Sequence, residues 1–338
     1  MTGFVYNIRM KYSEKLGEIS DEQFQTALTK SNLGTFIKAE AIPYGNFKQN
    51  VFLNTNRGEY VFRGNPHFPG QFEQEQFSIT LLKEKTKVPV PWPFIVDEST
   101  NIFGWSYVLM PKLPGIQIED EGIQKTITPK DWSQLAIAYA KNLAEMHSLT
   151  WPTCGKYDEK TKNIKEFQKP YGEWVIEQIN NLLNASREIN NRTTDDDIEW
   201  VHSIVENGHE ALLIPFTPCY VMQDYQWSNM LVDKVNGVWK VTGVFDLVEG
   251  YFGDGETDLS RMYKKLLEQN NELGDLFIKS YTTHHSFRSG FEKRFPIYII
   301  LDCLIVWKFV QKYNKNWIER DVSFREWCEK WTKLENFK

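Results

Sequence analysis

The spacing of apolar residues changes partway along the chain. Up to about Lys38 the pattern suggests a helical lead-in. The stretch AIPYGNFKQNVFLNTNRGEYVFRG, from Ala41, then predicts two strands joined at NTNRG, with a turn at Gly45 and Asn46 just ahead of them. QFEQEQFSITLLKEK places Phe72, Gln76, Ile79 and Leu82 at helical spacing, and the prolines of VPVPWPF end that helix. One more apolar strand follows in GWSYVLMPKLPG, and the segment from Met110 to Gly115 divides two lobes. Beyond it, DWSQLAIAYAKNLAEMHSL sets Leu135, Ala138, Tyr139 and Leu143 on one helical face, starting near Asp131. Further helical patterns cover about residues 169–188, 195–210 and 258 to the end. The expected fold class is α+β, with a β-rich lobe over residues 1–112 and a larger, mainly helical lobe over residues 113–338.

Composition narrows what such a chain can do. Apolar residues make up 41% and charged residues 25% of 338, ordinary for a globular protein with a sizeable core. Cys154, Cys219, Cys303 and Cys328 form no Cys-x-x-Cys pair, so free thiols in a reducing, cytoplasmic compartment are expected. The first twenty residues lack an apolar core, and no secretory signal is expected. The most hydrophobic stretch, PIYIILDCLIVWKFV, is shorter than a membrane span and is interrupted by Asp302, which suits a buried helix. A net charge of −6 without basic blocks argues against nucleic acid or an anionic membrane as partner, and favours a neutral or cationic small ligand.

Candidate chemistry concentrates in VMQDYQWSNMLVD, residues 221–233, where Asp224 and Asn229 stand five positions apart. Apolar segments on either side of Asn236-Gly237 predict a hairpin. Folded antiparallel, it sets Asn229 opposite Val244 and therefore close to Asp246. An amide and a carboxylate without Cys or His are hard oxygen ligands, which suit Mg²⁺ shared with a substrate's phosphates. Asp224 is then available to orient a hydroxyl and accept its proton.

Asp-x-x-x-x-Asn, a hairpin and then Asp resembles the catalytic loop and metal aspartate of the kinase-like fold. The continuation GVFDLVEGYFGDGETDLSRM is similar to the aminoglycoside phosphotransferase and choline kinase family, with Asp246, Gly253, Asp254, Asp258 and Leu259 in the matching places. Gly45 with Asn50 matches the turn that covers the phosphates, Arg63 stands where lysine is usual, Glu75 fits the acid on the next helix, and LAEMHSL matches a family helix. The resemblance extends over about residues 30–265 and implies a bilobal small-molecule phosphotransferase. It implies ATP or GTP as donor, Mg²⁺ held by Asn229 and Asp246, Asp224 as the catalytic residue, Arg63 paired with Glu75 at the phosphates, and the base near Met110. Asp246 and Asp258 are too close in sequence for an activation segment that would grip a peptide, so the acceptor is a small-molecule hydroxyl. Met222, Gln223 and Gln226 depart from the family's His, small residue and His. The alternative they raise is a weak or inactive nucleotide-binding pseudokinase with a regulatory role.

Three lesser expectations concern neighbouring residues. Asp258 should cap a helix and tie the loop down, and His147 should be a satisfied helix-end histidine. Any of Glu249, Asp254, Glu256 and Asp258 not used in capping or bracing should face outward, where its charge would concentrate a cationic acceptor such as an aminoglycoside or amino alcohol.

Overall fold

Where a helical lead-in was expected, the chain forms a hairpin first: β1 (Arg9–Ser13) pairs antiparallel with β2 (Gly17–Ser20). Gly17, at φ 70°, sits in the left-handed region at the start of β2. Helix α1 (Asp21–Lys30) begins only at Ser20, where Ser20 and Gln23 close a reciprocal capping box. The computed structural model describes residues 9–42 and 49–333, so Gly45 and the expected turn beside it lie outside the described residues.

The molecule is an α+β protein of two units, residues 1–116 with 242–248, and residues 117–241 with 249–338. The first unit continues with β3 (Phe36–Ala41), β4 (Asn50–Thr55), β5 (Gly58–Gly64), α2 (Gln71–Lys85), β6 (Ile95–Asp97) and β7 (Tyr107–Pro111). Val51, Leu53 and Thr55 are buried while the residues between them are half-buried, the period-two pattern of a strand with one face on a core. The five strands form one antiparallel sheet in the order β3-β4-β5-β7-β6. Its buried face packs on α1: Phe24 meets Phe62 edge-on, with ring centroids 5.2 Å apart, and Leu28, Val51, Leu53 and Leu109 complete the cluster.

The second unit contains α3 (Glu121–Thr126), α4 (Pro129–Met146), β8 (Gly155–Asp158), β9 (Asn163–Glu166), α5 (Tyr171–Ile189), α6 (Asp195–Leu212), β10 (Cys219–Val221), β11 (Met230–Val235), β12 (Val238–Val244), β13 (Tyr251–Gly253), α7 (Leu259–Gln269), α8 (Asn271–Thr282), α9 (Phe291–Lys312) and α10 (Phe324–Thr332); the last three residues of β12 belong with the first unit. Helix α4 starts at Pro129, two residues before the expected Asp131, because Thr128 caps it by accepting the Asp131 N–H at 3.2 Å. The unit is not purely helical: β10, β13, β8 and β9 form a four-stranded antiparallel sheet. Beyond Asp258 the described residues form four helices, separated at Asn270, Gly290 (φ 77°) and Ser323. Buried α9 lies at their centre, packed by α5, α6, α7 and α10, and carries the hydrophobic stretch that holds Asp302. Among the described residues no helix is long and apolar enough to cross a membrane.

Candidate active site

In the first unit, Arg63 occupies the penultimate position of β5, opposite Asn50 on one side and Val108 on the other. Its NH1 reaches both Glu75 carboxylate oxygens, at 3.0 and 2.8 Å, and its NH2 donates to Asp246 Oδ1 at 3.0 Å. Glu75, and not Glu73, is the acid turned to Arg63, because α2 buries that face: Phe72, Ser78, Ile79 and Leu82 lie inward with it. Asp246 adopts φ 65°. Its segment is fastened to the unit by Val244 N–H donating to Pro89 C=O at 2.7 Å, by Leu247 N–H donating to Glu75 at 3.4 Å, and by Gln74 donating to Val248 C=O.

Burial alone would discharge Arg63 and Glu75, so their pairing decides their state. Desolvation opposes charge on Arg63, yet Glu75 and Asp246 together hold its guanidinium firmly protonated. Desolvation pushes the Glu75 carboxyl up, and Arg63 counters it. The Nε of Arg63 is buried with no hydrogen-bond partner among the described residues. Asn50 Oδ1 is likewise buried without a partner there, and Met110 lies within β7, paired with Val61, not beyond the strand.

In the second unit, β10 leads into the loop that carries Asp224. Gln223 takes φ 69°, and the N–H groups of Met222 and Gln223 both donate to the Asp258 carboxylate, at 2.5 and 2.7 Å. Asp258 thus ties the loop down, but its side chain does not cap α7 as expected, since the carboxylate is spent on the loop amides. His147, fully buried at the end of α4, places Nδ1 2.7 Å from the Tyr281 hydroxyl and Nε2 3.5 Å from Asp258, and is satisfied as expected. Asn229 ends a short 3₁₀ turn and donates Nδ2 to Asp224 Oδ2 at 2.8 Å and to the Asp224 C=O at 3.0 Å. That orientation turns its amide oxygen away from the Asp224 carboxylate. The hairpin turn at Asn236 and Gly237 has φ 54° and 77°, the double left-handed geometry that Asn-Gly favours.

Asp224 has a further partner that the sequence did not single out. Arg261 NH1 contacts its Oδ1, which also accepts from Gln226 Nε2 at 2.6 Å. The signal was present: an aspartate in the most apolar stretch demands a buried cation, and Asp302 pairs with Arg261.

Most of the acidic run after Asp246 is spent on bracing, and Glu249 alone of the four is at the surface. Asp254 pairs with Arg288 and accepts from the Tyr298 hydroxyl at 2.6 Å, Glu256 accepts from buried Arg294 at 2.8 and 2.9 Å, and Asp258 holds the loop. All three are buried, and Glu249 at the surface pairs with Lys156 at 3.2 Å. These charges are consumed internally because the loop and the last helices must bury arginines of their own. The outward negative field that motivated a cationic acceptor is therefore not built from this run.

The structure thus gathers Arg63, Glu75 and Asp246 in the first unit, and Asp224 and Asn229 in the second. In the first unit the paired Arg63 and Asp246 are a cation and a carboxylate of the kind that bind phosphate and a hard metal, and in the second Asp224 and Asn229 supply a carboxylate and an amide oxygen. Among the described residues no group of three or more His, Cys, Asp or Glu is placed to hold a metal ion.

A family model described as the phosphotransferase enzyme family, APH, matches residues 38–290. No curated protein matches the chain. Among solved structures, a protein assigned as an aminoglycoside phosphotransferase from Ralstonia eutropha JMP134 is 16% identical, with TM-score 0.65 over 92% of this chain and 94% of that one. The GDP and kanamycin complex of APH(2")-IIIa is 15% identical, with TM-score 0.63 over 93% and 99%. A protein assigned as a fructosamine-3-kinase from Haemophilus somnus 129PT is 15% identical, with TM-score 0.61 over 92% and 96%. At these identities the likenesses show the fold, which is the bilobal kinase-like one.

Proposed function

Because the chain belongs to the phosphotransferase enzyme family, whose model covers residues 38–290, we propose that it transfers the γ-phosphoryl group of ATP or GTP to a hydroxyl of a small molecule. The observation that carries this reading is the Asp224–Asn229 pair on a loop whose backbone Asp258 pins. In it, Asp224 receives the acceptor hydroxyl and takes its proton as the new O–P bond forms and the bond from the γ-phosphorus to the β-phosphate oxygen breaks, releasing ADP or GDP. Asn229 and Asp246 would hold Mg²⁺ through oxygen, and the Arg63 guanidinium, fixed by Glu75, would pair with the α/β phosphates. The bound nucleotide would supply the phosphoryl group and the metal would neutralise its charge. By the family resemblance Asn50 would help cover the phosphates and Met110 would lie near the base. Most of the acceleration comes from positioning and charge neutralisation, with no covalent enzyme intermediate.

A hydroxylated amine, an aminoglycoside or amino alcohol, is the acceptor class we favour. Its support is now the kanamycin complex of a protein with this fold, since the acidic run is used internally. The four free cysteines support a reducing compartment such as the cytoplasm. The reading as an inactive regulatory module rested on Met222 and Gln223, and Asp258 holds both through backbone amides that do not depend on their side chains. The test is a screen of aminoglycosides, macrolides, amino alcohols and sugars for ADP or GDP release with Mg·ATP and Mg·GTP. Acceptor-dependent release supports the reading. Tight nucleotide binding with no release from any acceptor would contradict it.

A further inference from the structure

We infer that Arg261, held in place by Asp302, is a positioning residue that fixes the orientation of the Asp224 carboxylate. The inference rests on the role proposed above for Asp224. Its starting point is a charge in an apolar setting: Ile297, Tyr298, Ile299, Ile300, Cys303 and Leu304 of α9 are fully buried, and Asp302 stands among them at 5% exposure. A carboxylate there is retained only with full pairing. Two cations of α7 supply it. Arg261 places Nε 2.7 Å and NH2 2.6 Å from Asp302 Oδ1, and Lys264 Nζ lies 2.7 Å from Oδ2.

Lys264 by itself matches the charge of Asp302, which leaves the charge of Arg261 for a second carboxylate. The planar guanidinium presents separate edges, so the edge bearing Nε and NH2 is spent on Asp302 while NH1 reaches Asp224 Oδ1. Asp302 therefore sets the plane and reach of Arg261, and Arg261 sets one side of Asp224. Gln226 adds a second donor to Oδ1 and Asn229 donates to Oδ2. An aspartate's terminal torsion is otherwise broad. With donors on both oxygens it is fixed, and the direction from which an acceptor hydroxyl is received is fixed with it. Lysine at position 261 would keep the charge and lose this geometry, because a single ammonium cannot present two rigid edges.

Two readouts test the arrangement, one independent of turnover. In protein labelled with ¹³Cγ-aspartate, the Asp224 carboxyl resonance is identified by its loss in Asp224→Asn. It should move in Asp302→Asn, which alters the anchor of Arg261, and in Arg261→Lys, while the surface substitution Glu249→Gln leaves it in place. With Mg·ATP and kanamycin, or the best acceptor of the screen, both variants should lose about ten-fold or more in kcat with the nucleotide KM nearly unchanged, and combining them should add little further loss. If Asp302→Asn does not fold, Arg261→Lys decides. A resonance unmoved in the folded variants, or a kcat equal to wild type, overturns the inference. Absence of phosphoryl transfer in the wild-type protein would overturn the proposed function instead, and the resonance would then decide whether Arg261 and Asp302 hold Asp224.

Discussion

Asp258 accepts the backbone N–H of Met222 at 2.5 Å, and this one contact explains how the loop carrying Asp224 is held with a methionine where the family resemblance would place a histidine. The Met222 side chain is fully buried and contributes packing, while the anchoring that a ring nitrogen would give passes to the Asp258 carboxylate, which also takes the Gln223 N–H.

Asp258→Ala should therefore destabilise the protein by about 2–5 kcal/mol, since it strands two amides and leaves buried His147 without its acid. Urea denaturation measures the loss. A change below about 0.5 kcal/mol, the size of an ordinary surface substitution, would show that the carboxylate is not the anchor.

Glu75 and Glu73 lie on the same helix and should respond differently. Glu75→Ala leaves Arg63 with Asp246 alone and should cost about 3–5 kcal/mol, whereas Glu73→Ala should stay within about 0.5 kcal/mol. Paired chemical denaturation curves test this, and equal costs would refute it.

Desolvation alone would push the Asp302 carboxyl up, but Arg261 and Lys264 outweigh it and hold the group below the usual aspartate value. For a depressed carboxyl, the stabilisation is present above the unfolded value and is lost as pH falls through the folded one. The stability gap between wild type and Asp302→Asn should therefore be widest at neutral pH and narrow as the pH drops below the ordinary aspartate range. Denaturation midpoints of both proteins across that range decide it, and a gap independent of pH would contradict the pairing.

Asp246→Ala should remove the Mg²⁺ dependence of nucleotide binding while the fold survives, because the residue sits on a short connecting segment with its side chain partly exposed. Calorimetric titration of Mg·ATP reads this directly; an unchanged metal dependence would remove Asp246 from the metal set.

The sequence was most legible where the information is local. The period of Phe72, Ile79 and Leu82 marked α2, NTNRG marked the β4–β5 connection, and Asn236-Gly237 marked the second hairpin. What escaped depends on partners far away in the chain. Strands of three or four residues carry almost no periodic signal, and Cys219 pairs with Gly253 while Tyr251 pairs with Lys156. The partners of Asp254 and Glu256 were not legible because Arg288 and Arg294, which neutralise them, come from residues more than thirty positions on. Arg261 was hidden for the same reason, although Asp302 inside an apolar helix already required a cation to meet it.

Phosphoryl transfer through Asp224 is tested most directly by comparing wild type with Asp224→Asn, following the γ-phosphate by ³¹P NMR in the presence of Mg·ATP and an acceptor from the screen. The expected result is a new phosphate ester with the wild type and a kcat about 10²–10⁴ lower with Asp224→Asn, at nearly unchanged ATP affinity. No ester from the wild type, or an Asp224→Asn variant that turns over at the wild-type rate, would contradict it.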